Sequence, residues 1–227
     1  MEKGAVINKP DSDGLKINAG GTEFFADTLS EIEDKIKTLL LNHEPDDVRK
    51  ANRMAYLEVI LLYGAKARQY RPKDPSETVF NDRLLALIDL LDKYKIGDVD
   101  YQEPGTGNTA IAYAMLKHRP EIVDRLFRLG SGADPTIVNS HGMDYLMFAC
   151  ARERESRPYV ICAVRNNVPL FGVNDKGLDA LSYLKGASGG YKPKCKASAD
   201  VILNARDLLL AQDNLGSEEE NNYERGW

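Results

Sequence analysis

A period of 35 residues restricts this chain more than any other feature. Gly107, Gly142 and Gly177 are spaced 35 apart twice running, and Ile111, Leu146 and Leu181 keep the same spacing. Ala114, Ala149 and Leu184 occupy a third matching position, seven residues past each glycine. A period of this length marks a supersecondary unit repeated in tandem, each copy too small to bury its own apolar face.

The segments before the glycines carry the same rhythm. Lys95-Ile-Gly-Asp-Val-Asp100, Gly130-Ser-Gly-Ala-Asp-Pro135 and Asn166-Asn-Val-Pro169 precede the three units, and Gly64-Ala-Lys-Ala67 lies about one period upstream. Each follows an apolar stretch of helical character: Leu57–Leu62, Leu84–Leu91, Ile122–Leu129 and Val160–Val164. A helix stops well at Gly or Asn, because the next residue often turns left-handed; Asn167 replaces glycine for that reason. The first helix of each unit is expected over Thr109–Lys117, Asp144–Arg152 and Asp179–Lys185, with Thr109 and Asp144 as N-caps. Pro120 and Pro158 mark the start of second helices. The unit reads as turn, short helix, tight turn, second helix and exposed loop.

In these segments the chain resembles the ankyrin repeat family, most clearly from 97 to 210. The best match is Gly107-Asn-Thr-Ala-Ile-Ala112, then Glu121-Ile-Val-Asp-Arg-Leu-Phe127, then Gly132-Ala-Asp-Pro135. The family's Thr-Pro-Leu-His turn is replaced by Thr-Ala-Ile-Ala, Asp-Tyr-Leu-Met and Asp-Ala-Leu-Ser, so the repeats are degenerate. The resemblance implies an all-α solenoid of helix-turn-helix repeats that binds another protein through its concave face and finger loops. The positions matching the family's contact sites are Gln102, Glu103, Asn108, Val138, Ser140, His141, Met143, Asp175, Lys176 and Leu178, and Tyr101 and Phe171 are the aromatic finger candidates.

Upstream, Ser30–Asn42 has helical spacing with Ser30 as cap, and Asp46–Tyr63 reads as a second helix started by Pro45. Pro75–Tyr94 reads as one long helix or two short ones, and Ala65–Asp74, with Arg68, Tyr70 and Arg71, as a long finger. The expected organisation is a polar segment over 1–22, an atypical helical cap with degenerate repeats over 23–96, ankyrin-like repeats over 97–212, and an acidic tail over 213–227. The tail holds Glu218-Glu219-Glu220; it reads as a solvated, disordered end or, by resemblance to glutamate-rich blocks in bacterial type IV effectors, as a secretion signal.

Composition narrows the function. Thirty Lys and Arg against 35 Asp and Glu give a net charge of −5, which disfavours binding to nucleic acid through overall charge. No apolar run reaches the ~20 residues of a membrane span, and the first residues lack the apolar core of a secretory leader. Cys150, Cys162 and Cys195 are odd in number and fit no metal spacing, so a reduced, cytoplasmic setting is expected, or delivery into a host cell for an effector. The three histidines, His43, His118 and His141, lack sequence neighbours suited to a metal or a catalytic pair.

Each remaining constellation has a plain reading beside a sharper one. Gly186-Ala-Ser-Gly-Gly190 with Lys185, Lys192, Lys194 and Lys196 is an inter-helix insertion, or a site for an anion or an acidic partner. Cys150 is a buried small hydrophobe or a nucleophile, and Tyr145, Phe148, Tyr159 and Tyr183 are core or a recognition stripe. Asp89, Asp92, Asp98 and Asp100 are a solvated face or a cation site lacking the EF-hand spacing. The expectation is a binding module without cofactor or metal. The alternative is an enzyme whose site lies in the N-terminal helices or the 186–196 loop.

Overall fold

Apolar residues at helical spacing build most of this protein. The computed structural model describes residues 17–19, 22–24, 29–67, 75–186 and 188–224, and among them ten α-helices account for most of the chain. The expected finger residues Arg68, Tyr70 and Arg71, and most of the 1–22 segment, lie outside the described residues. No described helix is long and apolar enough to cross a membrane. The chain divides into two units: residues 1–101 with 129–131, and residues 102–128 with 132–227.

The first unit opens on an antiparallel ribbon of β1 (Ile17–Ala19) and β2 (Thr22–Phe24), with Ile17 opposite Phe24. Four helices follow: α1 (Leu29–Asn42), α2 (Pro45–Ala51), α3 (Ala55–Ala67) and α4 (Pro75–Lys93). α3 packs on α4, and α1 on α2 and α4. Leu84, Leu87, Ile88 and Leu91 form the buried stripe of α4, and Tyr56, Leu57, Val59 and Ile60 that of α3. The Lys93 ammonium and the Tyr94 hydroxyl, 2.8 and 2.6 Å from Glu33, hold its carboxyl down to about 2.

Several expectations change here. Ser30 lies inside α1 rather than capping it. The helix expected over 46–63 is two helices, broken at Asn52, whose amide turns back to the Val48 carbonyl at 2.7 Å while its own carbonyl takes the Ala55 N–H. Gly64 sits within α3, so no turn interrupts the chain there. Pro75–Lys93 is one helix.

The second unit contains α5 (Ala110–Leu116), α6 (Pro120–Phe127), α7 (Tyr145–Ala151), α8 (Ser156–Arg165), α9 (Ala180–Leu184) and α10 (Lys196–Glu224). α5 packs on α6, α7 on α8, and α9 on α10; α7 also touches α5 and α9, while α8 touches α6 and α10. Ile111, Leu146 and Leu181 are buried at equivalent points of α5, α7 and α9, as are Ala114, Ala149 and Leu184. Polar groups join the longer helices: Ser156 and Ser198 Oγ atoms meet at 2.6 Å in a buried contact.

Helix ends follow the expected chemistry with local substitutions. Asn167 is left-handed at φ +54°, and the Val168 N–H reaches back to the Ala163 carbonyl. His118 does the same at φ +59°, with Arg119 N–H bonded to Ala114 O. In the first unit Lys95, at φ +53°, repeats the pattern, with Ile96 bonded to Leu91 O. Pro120 starts α6, whereas α8 starts at Ser156, after a 3-10 turn over Glu153–Glu155, so Pro158 lies within its first turn. Asp144 and Asp179 cap α7 and α9, accepting from Met147 N and Ser182 N; Thr109 stands at the same place but makes no side-chain cap bond. Over 213–224 the chain is helical and continuous with α10, where a disordered tail is the sequence expectation. Glutamate and leucine are helix formers, so charge alone does not end a helix.

Candidate functional site

The turns ahead of α7 and α9 are built identically by one residue type. Asn139 Oδ1 accepts from the N–H groups of His141 and Met143 at 3.0 and 3.1 Å. Asn174 Oδ1 accepts from those of Lys176 and Leu178, both at 3.0 Å. Each asparagine also pairs its main chain across the turn, Asn139 N–H with Met143 O and Asn174 N–H with Leu178 O. Gly142 and Gly177 take φ +68° and +70° at the turn ends. An asparagine side chain that substitutes for main-chain partners locks such a turn without help from neighbours.

The turn ahead of α5 is one residue longer and uses other groups. Glu103 Oε2 accepts from Thr106 N and Oγ1, at 3.0 and 2.7 Å, and Thr106 Oγ1 accepts from Asn108 N. This turn is tied to the next. Ser140 N–H donates to Thr106 O at 2.9 Å, Gln102 Nε2 to the carbonyls of Gly107 and Val138, and Asn139 Nδ2 to Asn108 Oδ1. The first two tips are therefore fixed in mutual register.

Between the second and third tips lies an open groove of about 520 Å³. Ser140, His141, Gly142 and Met143 of the second turn line it together with Asn174, Asp175 and Lys176 of the third and Tyr183, whose hydroxyl accepts from Asn174 Nδ2 at 3.1 Å. Apolar side chains stand exposed beside it: Val138 is 52% exposed, Phe171 51%, Val173 65% and Leu178 40%. Phe171 is held from one side. The Arg206 guanidinium sits 5.0 Å over its ring and donates to Leu170 O and to Asp179 Oδ2. The arrangement offers rigid apolar knobs and mixed charge around a shallow trough.

The residues expected to contact a partner fall into three groups. Gln102, Val138, Ser140, His141, Phe171, Asp175, Lys176 and Leu178 are exposed, and Glu103 and Met143 half-exposed, along the row of turns. Asn108 is buried, and its side chain braces the first turn against the second. Tyr101 belongs to the first unit, where the Arg53 guanidinium lies 5.0 Å from its ring. Sequence reasoning missed Asn139, Asn174 and Val173. The signal was present: Val138-Asn139, Gly142, Asp144 and Leu146 match Val173-Asn174, Gly177, Asp179 and Leu181 one for one.

The other constellations resolve locally. Around Ala187, which is not described, Gly186 N–H bonds Gly190 O and Gly189 N–H bonds Gly186 O, so both amides are spent inside the turn. Lys192 pairs with Glu153 at 2.6 Å, while Lys194 and Lys196 are exposed. All three cysteines are buried. Burial pushes the Cys150 thiol up to about 12 and the Cys162 thiol up to about 11, so neither supplies a thiolate nucleophile near neutral pH. Tyr145 and Tyr159 are core; Phe148 and Tyr183 are half-buried. His118 lies beside Arg152 and Glu155 on the surface. Among the described residues no group of three or more His, Cys, Asp or Glu could hold a metal ion. No family model matches the chain, and no curated protein is significantly similar to it.

Proposed function

We propose that this protein is an interaction module of ankyrin-like, degenerate helix-turn-helix repeats that binds another protein through the turns ahead of α5, α7 and α9. The observation that carries this reading is the row of turns itself. Their 35-residue period is matched by buried residues on the short helices behind them, and their apolar tips Val138, Val173 and Leu178 face outward. A side chain held on a rigid turn loses little conformational freedom on binding, so exposed apolar tips there favour association. Ser140, His141, Asp175 and Lys176 supply polar partners around the apolar points.

The test is capture from cell extract with two chains, the native one and one carrying Val138→Ser, His141→Ala, Val173→Ser and Leu178→Ser. All four positions are outside the core, so the melting temperature is expected to stay within a few degrees. The partner is expected on the native chain and lost from the variant. Leu41→Ser, at an exposed leucine of the first unit, is the control that leaves capture intact. Equal capture by both chains removes the tips from the binding surface.

A further inference from the structure

The turns that follow α5, α7 and α9 form a second row, at the opposite ends of these helices from the tips. They cover residues 117–121, 152–157 and 185–196, and side chains tie each to the next. Arg152 Nη2 lies 3.3 Å and Glu155 Oε2 3.2 Å from His118 Nδ1, and Lys192 Nζ lies 2.6 Å from Glu153 Oε1. The three acidic side chains of the row are all engaged: Glu121 with Arg119, Glu153 with Lys192, and Glu155 with Arg152. Lys117, Arg157, Lys185, Lys194 and Lys196 are left, and none of them has an ion pair among the described residues. Asp200, a turn further along α10, pairs with none of them either. A chain of net charge −5 thus gathers uncompensated positive charge along one edge of its second unit.

Helix chemistry explains only part of this charge. Lys117, Arg152 and Lys185 are the C-cap residues of α5, α7 and α9, where the helix dipole favours a base. Arg157 and Lys196 lie in the first turns of α8 and α10, and Lys194 just ahead of α10, where the dipole opposes a base. Neither helix has an acid in its first turn, and Glu155, the N-cap of α8, is spent on Arg152. Like charges gathered against their own helix dipoles cost stability, and an anion bound there relieves that cost.

The edge suits a discrete acidic segment better than a uniform polyanion. Glu153 and Glu155, with side chains 55 and 45% exposed, stand among the bases. The phosphates of a nucleic acid or a lipid surface laid across the row would meet them, whereas a peptide can set its carboxylates between them. None of the exposed large apolar side chains among the described residues lies on these turns, so a bilayer gains no apolar anchor there. We propose that this edge binds an acidic segment of a partner protein through Lys117, Arg157, Lys185, Lys194 and Lys196. It is a second surface, separate from the tips that present Val138 and Val173.

Fluorescence anisotropy of the full chain with a labelled peptide of alternating glutamate and glycine tests this. Saturable binding is expected at low ionic strength, weakening as salt is added. Arg157→Ala, Lys194→Ala and Lys196→Ala together are expected to weaken it about tenfold, as for three exposed charge pairs. The melting temperature of this triple variant is expected to equal or exceed that of the native chain, because each removed base opposes a helix dipole. Lys37→Ala, Arg49→Ala and Lys50→Ala, an equal change of net charge in the first unit, and the four tip substitutions at 138, 141, 173 and 178 are each expected to leave peptide binding intact. A single-stranded DNA of mixed sequence and vesicles containing phosphatidylserine are expected to bind more weakly than the peptide. Absence of peptide binding at low salt, an equal loss in the first-unit or tip variant, a lowered melting temperature in the triple variant, or tighter binding of the DNA or the vesicles overturns the proposal.

Discussion

At the scale of single residues, glycines at equivalent positions are not equivalent in cost. Gly107, Gly142 and Gly177 share a left-handed φ, so any Cβ there carries about 1 kcal/mol of strain. A Cβ on Gly142 or Gly177 meets only open space, whereas on Gly107 it falls 2.9 Å from Ser140 N, on the bond that joins two turns. Gly142→Ala and Gly177→Ala are expected to cost about 1 kcal/mol each, and Gly107→Ala about 3 kcal/mol, once overpacking is added; urea titration ranks them. The converse holds where a side chain is left-handed already. Lys95→Gly and His118→Gly are expected to stabilise by about 0.5–1 kcal/mol, reduced by the loss of the exposed Lys95–Asp92 ion pair and the exposed His118–Glu155 contact. Asn167→Gly is expected to change little, since asparagine tolerates that conformation. A melting temperature lowered by both glycine substitutions would contradict this account.

At the scale of elements, two caps at matching positions work with opposite electrostatics. Burial raises the Asp144 carboxyl above its ordinary value, against the opposing pull of the Met147 and Leu146 amides. Burial acts on Asp179 too, but the Ser182 hydroxyl and amide and the Arg206 guanidinium outweigh it and lower that carboxyl. For Asp179, stability is present above the unfolded-state value near 4 and is lost as pH falls through the lower folded value. For Asp144 the sign reverses: stability is greatest below about 4 and falls as pH rises through the raised folded value. Asp179→Asn is expected to cost about 1–2 kcal/mol at pH 7 through loss of the Arg206 pair. Asp144→Asn keeps a cap acceptor and removes a buried charge, so its expected cost is near zero. Thermal melts at pH 7 and pH 3 check both, and the Asp179 deficit should shrink at the lower pH.

At the scale of the whole molecule, the core makes its thiols unreactive. Cys150, Cys162 and Cys195 are all buried, with burial the leading cause of each raised thiol. A thiol reagent at pH 8 is therefore expected to label fewer than one cysteine per folded chain within minutes and all three after unfolding. Rapid labelling of a single thiol in the folded chain would reveal a local opening, and peptide mapping would show in which helix.

The 35-residue period was legible without coordinates because each repeat must spend the same positions on the same tasks. A turn needs its glycine, and a buried helix face needs Ile111, Leu146 and Leu181. The Asp144 cap and the left-handed Asn167 were legible for the same local reason. What the sequence left open depended on partners far along the chain. Phe171 is a rigid knob because Arg206 reaches it from α10, and Asn108 is a brace because Asn139 lies beside it. The break of the 46–63 segment at Asn52 and the passage of helix through Gly64 were likewise hidden, since both positions permit either conformation in isolation. Local chemistry thus determined which residues repeat and, at Asp144 and Asn167, where a helix begins and where one ends. Only tertiary packing decided which side chains face solvent, because exposure depends on what the rest of the chain covers.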